Sequence, residues 1–158
     1  MKVRDAMTKK IIVASPSATF PEIWKKFFTH HITAIPIVDS TNHLVGIVTR
    51  EDLLKILYPT YRDQIFDFTL LPDFEDMEIS IGQLSEKKAK DVMNRRIIFT
   101  RKDTEIMRAL SRMIVRQVHQ LPVVDEENRL VGVITKGDIF YALAKKNFLL
   151  KMRLKRKK

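Results

Sequence analysis

Leu44-Val-Gly-Ile-Val-Thr49 returns 86 residues later as Leu130-Val-Gly-Val-Ile-Thr135, and the correspondence extends outward in both directions. Upstream, Pro36-Ile-Val-Asp39 matches Pro122-Val-Val-Asp125, and downstream Asp52 matches Asp138. One shift of 86 aligns residues 3–57 with 89–143 without a gap, giving 14 identities in 55 positions, nine of them between Pro36 and Asp52. Self-similarity at a fixed offset marks a chain built from two copies of one unit. The copies occupy 1–57 and 89–146, joined by a connector at 58–88 and followed by a basic tail at 147–158.

Each copy reads as βαββα, a mixed α/β (α+β) unit. Ile11-Ile-Val-Ala14 and Ile97-Ile-Phe99 are short runs of strand character. A helix follows in both. Phe20, Ile23, Trp24, Phe27 and Phe28 fall at i, i+3, i+4, i+7 and i+8, and Ile106, Ala109, Leu110, Met113 and Ile114 repeat that phase, which predicts one buried stripe. Thr19 and Glu22 have capping-box spacing, and Asp103 or Thr104 would cap the second copy. Two strands come next, Ile35 to Val38 and Leu44 to Val48 in the first copy, with Asn42 and Asn128 placed where a turn needs positive φ. Closing helices begin near Arg50 and Lys136. About 55 residues bury too little surface to be stable alone, so the two pseudo-symmetric copies are expected to pack through their small sheets.

The strand-to-helix junctions Gly46-Ile-Val-Thr-Arg-Glu-Asp52 and Gly132-Val-Ile-Thr-Lys-Gly-Asp138 share the form Gly-apolar-apolar-Thr-x-x-Asp. A hydroxyl and a carboxylate three residues apart at a helix start suffice to make an N-cap. A cap alone explains less well why the same Gly, Thr and Asp recur while the residues between them change.

Taken with Asp5-Ala-Met7 and Asp91-Val-Met93 at the head of each copy, and with Ala34-Ile-Pro-Ile-Val-Asp39 and Gln120-Leu-Pro-Val-Val-Asp125, these junctions resemble the cystathionine β-synthase (CBS) domain family in its tandem arrangement, the Bateman module. The resemblance implies an adenosine-containing ligand, AMP, ADP or ATP, with S-adenosylmethionine as a further candidate. It assigns ribose to Asp52 and Asp138, ribose or phosphate to Thr49 and Thr135, and phosphate to His119, whose counterpart Thr33 carries no charge. It also implies that adenine lies against Ile12, Ile32 and Thr33 in the site of Asp138, and against Ile98 and Val118 in the site of Asp52. For any one of those apolar residues, strand core is an equal reading. Arg50 and Lys136 are placed for phosphate but read more simply as helix-surface cations, and His30-His31 as a helix C-terminus rather than a metal site.

The chain of 158 residues has 45% apolar and 30% charged residues and no Cys, a globular composition without thiolate metal sites or Cys nucleophiles. No apolar run reaches membrane-spanning length, no secretory signal opens the sequence, and the expected location is the cytoplasm. The formal charge of +10 is uneven. Eight basic and no acidic residues lie from Lys145 to Lys158, while residues 1–144 carry 21 basic against 19 acidic. Six acids and no Lys or Arg occupy 63–80. Both runs read first as solvated surface. Within the connector, Tyr58, Tyr61, Ile65 and Phe68 have the spacing of an amphipathic helix before Pro72, with Asp73-Phe-Glu-Asp76 facing water. The apolar residues among the tail's cations would extend the last helix.

No nucleophile elbow, Walker loop, metal motif or paired-carboxylate constellation is present, and no base-stacking or helix-turn-helix pattern points to specific nucleic-acid reading. The expected function is a non-enzymatic regulatory module, homodimeric through its helices, that binds an adenine nucleotide and signals to a client protein in trans. The alternative is a ligand-free structural or dimerisation module.

Overall fold

A computed structural model describes residues 1–57 and 74–155. Two compact units emerge, one formed by residues 12–97 and the other by 1–11 together with 98–158.

In the unit of residues 12–97, helix α1 (Phe20–His30) leads into strands β1 (Ala34–Val38) and β2 (Leu44–Thr49) and helix α2 (Arg50–Leu57), with α3 (Phe74–Ser85) and α4 (Ala89–Val92) beyond the connector. The other unit contains β3 (Thr100–Arg101), α5 (Ile106–Val115), β4 (Gln120–Val124), β5 (Leu130–Thr135) and α6 (Lys136–Lys155), preceded by a 3-10 turn at Val3–Asp5. The hairpins share one register. Ala34 faces Thr49 and Pro36 faces Ile47; 86 residues on, Gln120 faces Thr135 and Pro122 faces Val133, with a bulge at the equivalent point in both.

The turns explain two of the repeated polar residues. Asp39 Oδ1 accepts hydrogen bonds from the backbone N–H groups of Thr41 and His43, and Asp125 Oδ1 accepts them from Glu127 and Arg129. The carboxylate thus organises the loop, while Asn42 and Asn128 supply its positive φ of 65° and 61°.

The first strands are shorter than their β-branched runs suggest. Only Ala14 of Ile11–Ala14 bridges β1, in parallel with Ile37, and the second copy pairs through Thr100–Arg101 rather than Ile97–Phe99. The expected cap at Asp103 or Thr104 is also displaced, because α5 starts from Glu105 without a side-chain cap. By contrast, Thr19 and Glu22 form the anticipated box: the Thr19 N–H and hydroxyl donate to Glu22 Oε2 at 2.7 and 3.0 Å.

The buried stripes are narrower than five positions. Phe20, Ile23 and Phe27 are buried, as are Ile106, Ala109 and Met113, whereas Trp24 and Phe28 are 39% and 51% exposed and Ile114 is 60% exposed. At roughly 100° per residue, i+4 and i+8 lie about 65° and 105° from the centre of the i, i+3, i+7 stripe; i+4 therefore sits at its edge, where Leu110 still packs on its core, and i+8 lies beyond it.

Segments at the head of each copy pack into the unit of the opposite copy. Val3, fully buried, joins the core of Ile106, Met113, Leu121 and Ile134, and Thr8 exchanges both backbone hydrogen bonds with Val133. Ala89, also fully buried, joins the core of Phe27, Ile35 and Val48, and Asn94 exchanges both bonds with Ile47. The apolar contacts and the paired main-chain groups therefore define units that differ from the linear repeats.

The expected helix around Tyr58–Phe68 lies outside the described residues, as do the side chains of Asp73–Asp76 and of residues 149–158. Along the backbone α6 continues to Lys155, as the tail sequence suggested. Among the described residues no helix is long and apolar enough to cross a membrane.

Candidate functional site

Both Thr-x-x-Asp junctions take one geometry. Strand β2 ends at Thr49, whose hydroxyl accepts the Asp52 N–H at 3.0 Å and donates to Asp52 Oδ2 at 2.6 Å. Strand β5 ends at Thr135, whose hydroxyl accepts the Asp138 N–H at 3.0 Å and donates to Asp138 Oδ2 at 2.8 Å; the Thr135 N–H reaches the same oxygen at 2.8 Å. Each pair is thus a reciprocal helix cap. All four residues are half-buried, and Oδ1 of each Asp takes no hydrogen bond from a described residue. A carboxylate with one oxygen fixed and one open can still accept a ligand hydroxyl.

The hairpin register then places the segment before the Pro strand beside the junction. The Arg50 N–H donates to the Thr33 carbonyl at 3.0 Å, and the Lys136 N–H to the His119 carbonyl at 3.2 Å. In the first unit Thr33 thus lies against the start of α2, and Ile32 packs on the local core. In the second, His119 is exposed beside the start of α6, and Ile98 and Val118 are partly buried against that unit's core. Ile12 is half-buried in the unit of Asp52. None of these apolar residues lies in a strand; Ile32, Ile98 and Val118 pack on the edge of a core, and all four keep exposed surface. Among the described residues no group of His and acidic side chains is arranged to hold a metal ion.

Sequence reasoning did not anticipate what the two glycines face. A Cβ at Gly132 would stand 2.6 Å from Met7 Sδ, and one at Gly46 would stand 2.8 Å from Met93 Cγ. The Met of each leading segment and the Gly of each junction are one packing unit. Their recurrence together in both copies was the available signal.

Both copies are similar to known proteins. The sequence profile of the CBS domain matches residues 3–59 and 89–145. Inosine-5'-monophosphate dehydrogenase of Methanocaldococcus jannaschii is 33% identical over 138 residues; the match covers 87% of this chain but 23% of the dehydrogenase. The structure of CBSX2 from Arabidopsis thaliana in complex with AMP superposes with a TM-score of 0.72 at 24% identity, covering 92% of this chain and 98% of that one. The CBS domain pair of protein MJ0100, in complex with 5'-methylthioadenosine and S-adenosyl-L-methionine, gives a TM-score of 0.67 at 25% identity, covering 92% and 98%.

Proposed function

The chain belongs to the CBS domain family, as a tandem pair, and on that premise we propose that it is a regulatory module that binds an adenosine-containing ligand, AMP, ADP or ATP, and passes its bound state to a client protein in trans. The observation that carries the reading is the doubled Thr-x-x-Asp geometry, in which one oxygen of each half-buried Asp takes no hydrogen bond from a described residue. In this reading Asp52 and Asp138 accept the ribose hydroxyls, while Thr49 and Thr135 hold ribose or phosphate. His119 contributes a cation to phosphate when protonated. Ile12, Ile32, Thr33, Ile98 and Val118 provide the surface against which adenine lies. CBS pairs of similar fold in complex with AMP, and with 5'-methylthioadenosine and S-adenosyl-L-methionine, support an adenosyl ligand. The proposed module has no catalytic step and acts in the cytoplasm.

We further propose a homodimer formed through the helices. Each unit presents apolar side chains that its own core leaves uncovered: Trp24, Phe28 and Leu54 in one, Met107, Ile114, Phe140 and Tyr141 in the other. Phe140 is 76% exposed on the first turns of α6. Grouped exposed aromatic and aliphatic side chains are the surface signature of association.

One observation favours a second reading, a ligand-free structural module. Each Asp already serves its Thr, so the junction is complete as a cap. A thermal-shift series with AMP, ADP, ATP and S-adenosylmethionine separates the two. A ligand at a hundredfold excess over its Kd adds about 2.7 kcal/mol, and no shift with any of them would leave the structural reading.

A further inference from the structure

The groove at the start of α5 shares no lining residue with either Thr-x-x-Asp junction. It encloses about 440 Å³ and is lined by Phe99 and Thr104, by the acids Asp103 and Glu105, and by three arginines, Arg101, Arg108 and Arg112. All belong to one unit. Both acids have cationic partners outside the three arginines: Asp103 is ion-paired with Arg4, and Glu105 lies 3.6 Å from the N-terminal ammonium of Met1.

Two of the three arginines are held by neutral partners. Arg101 Nη1 donates to the Asp125 carbonyl at 2.7 Å, and Arg112 Nη1 donates to the Phe99 carbonyl at 2.6 Å. Each bond fixes a guanidinium without cancelling its charge, and the other four N–H donors of each group remain for another acceptor. Arg108 makes no side-chain hydrogen bond or ion pair with a described residue.

Arg108 also runs against local helix chemistry. It stands at the third position of α5, whose first turn contains no acid and whose N-cap Glu105 makes no side-chain cap. A cation in a first helical turn opposes the helix dipole. The internal counterpart shows what stability alone would place there: 86 residues earlier the same position is Glu22, which closes the box with Thr19. At another groove position Ser15 stands where the second copy has Arg101. The corresponding groove of the first copy mixes Lys25, Lys26 and His30 with Glu22 and Asp39. The second copy therefore gives up a cap and sets a third guanidinium, Arg108, beside Arg101 and Arg112 in one small groove whose two acids are paired with Arg4 and the N-terminus. Residues that break a local rule without a structural gain mark functional positions.

We propose that this groove is a binding site for a compact phosphate-bearing anion, of the size of a diphosphate, held by Arg101, Arg108 and Arg112. Planar guanidinium groups match phosphoryl oxygens in paired hydrogen bonds, which two acids already paired elsewhere do not saturate across three arginines. The site shares no residue with the proposed adenosine-binding set, so either assignment stands without the other.

The test is calorimetric titration of the full chain with inorganic pyrophosphate and, separately, with AMP. Pyrophosphate is expected to bind with salt-sensitive affinity, and Arg108→Gln to weaken it at least about tenfold, as loss of a charge-assisted contact does. AMP binding should be unchanged by Arg108→Gln, and pyrophosphate binding unchanged by Asp52→Ala combined with Asp138→Ala. A titration with ADP identifies the source: affinity equal to that of pyrophosphate assigns a free anion, and an additional, Arg108-dependent event tighter than pyrophosphate assigns a nucleotide tail. A second variant separates ligand binding from architecture. Arg108→Glu should abolish pyrophosphate binding yet raise the melting temperature, because an acid restores the favourable first-turn charge. The proposal is overturned if pyrophosphate gives no heat at millimolar concentration, or if Arg108→Gln leaves its binding intact. It is equally overturned if binding is lost in the full chain carrying Lys155→Gln, Arg156→Gln, Lys157→Gln and Lys158→Gln, or if Arg108→Glu lowers the melting temperature.

Discussion

Met93 closes over Gly46: a Cβ added at position 46 would lie 2.8 Å from Met93 Cγ and 3.1 Å from its Cβ, and Met7 covers Gly132 in the same way. At Gly132 the backbone carbonyl of Thr8 stands 3.2 Å away as well, so the neighbours there cannot yield by a side-chain rotation alone. Gly46→Ala and Gly132→Ala should each destabilise by about 1–3 kcal/mol, the usual range for overpacking. In a double-mutant cycle, Met93→Ala combined with Gly46→Ala should cost less than the sum of the two single changes. Additive costs in urea unfolding would show that the contact does not govern either position.

The exchange of leading segments predicts which fragments fold. Residues 1–57 form a complete sequence repeat but lack Ala89 and Asn94, which complete the core and the backbone pairing around β2. A fragment of residues 12–97 should unfold cooperatively in urea, and a fragment of residues 1–57 should not. Equal cooperativity in both would mean that the linear repeat is the folding unit.

The division between what sequence revealed and what it did not follows from the nature of each signal. The repeat, the hairpins, the Thr-x-x-Asp junctions and the turn residues Asp39 and Asn42 were legible, because each depends on chemistry within a few residues of the chain. The destination of Val3 and Ala89 was not. Alignment establishes that these positions are equivalent, and says nothing about which copy they pack against. Trp24 and Phe28 were assigned to a buried face since hydrophobic phase identifies a stripe without its width, and the arc beyond Phe20, Ile23 and Phe27 is exposed. The arginine groove was invisible for a similar reason: Arg101, Arg108 and Arg112 are ordinary surface residues until the backbone joins the end of β3 to one face of α5.

Acid should weaken the first unit through two carboxylates. The Thr19 N–H, aided by its hydroxyl, holds the Glu22 carboxyl below its usual range, and the Thr41 hydroxyl with the His43 N–H does the same for Asp39. Because these values are depressed in the folded chain, their stabilisation is present above the ordinary carboxylate range and disappears as pH falls through the folded values. The stability difference between the native chain and Asp39→Asn should therefore be largest near pH 6 and shrink below about pH 4. A difference that stays constant down to about pH 3 would exclude the carboxylate as its source.

The uncovered helix faces predict an association that charge can break. Phe140 is 76% and Leu54 60% exposed on helices that begin at the two junctions. The native chain should sediment as a dimer, and the combined change Leu54→Glu and Phe140→Glu should yield a monomer of 18.5 kDa with an intact circular dichroism spectrum. A monomeric native chain, or a dimer untouched by both charges, would contradict pairing through these faces.

Adenosine binding at the junctions is tested most directly by isothermal titration of the native chain, Asp52→Ala and Asp138→Ala with AMP, ADP, ATP and S-adenosylmethionine. Each Asp also caps its Thr, so each variant should lose about 1 kcal/mol of stability without ligand and should be titrated well below its melting temperature. The native chain is predicted to bind at least one of the four ligands, and each substitution to weaken its own site by about tenfold or more, the loss expected when a charged hydrogen-bond partner is removed. Absence of binding to the native chain at millimolar concentration, or binding unchanged in both variants, would contradict the assignment of Asp52 and Asp138 as ligand acceptors.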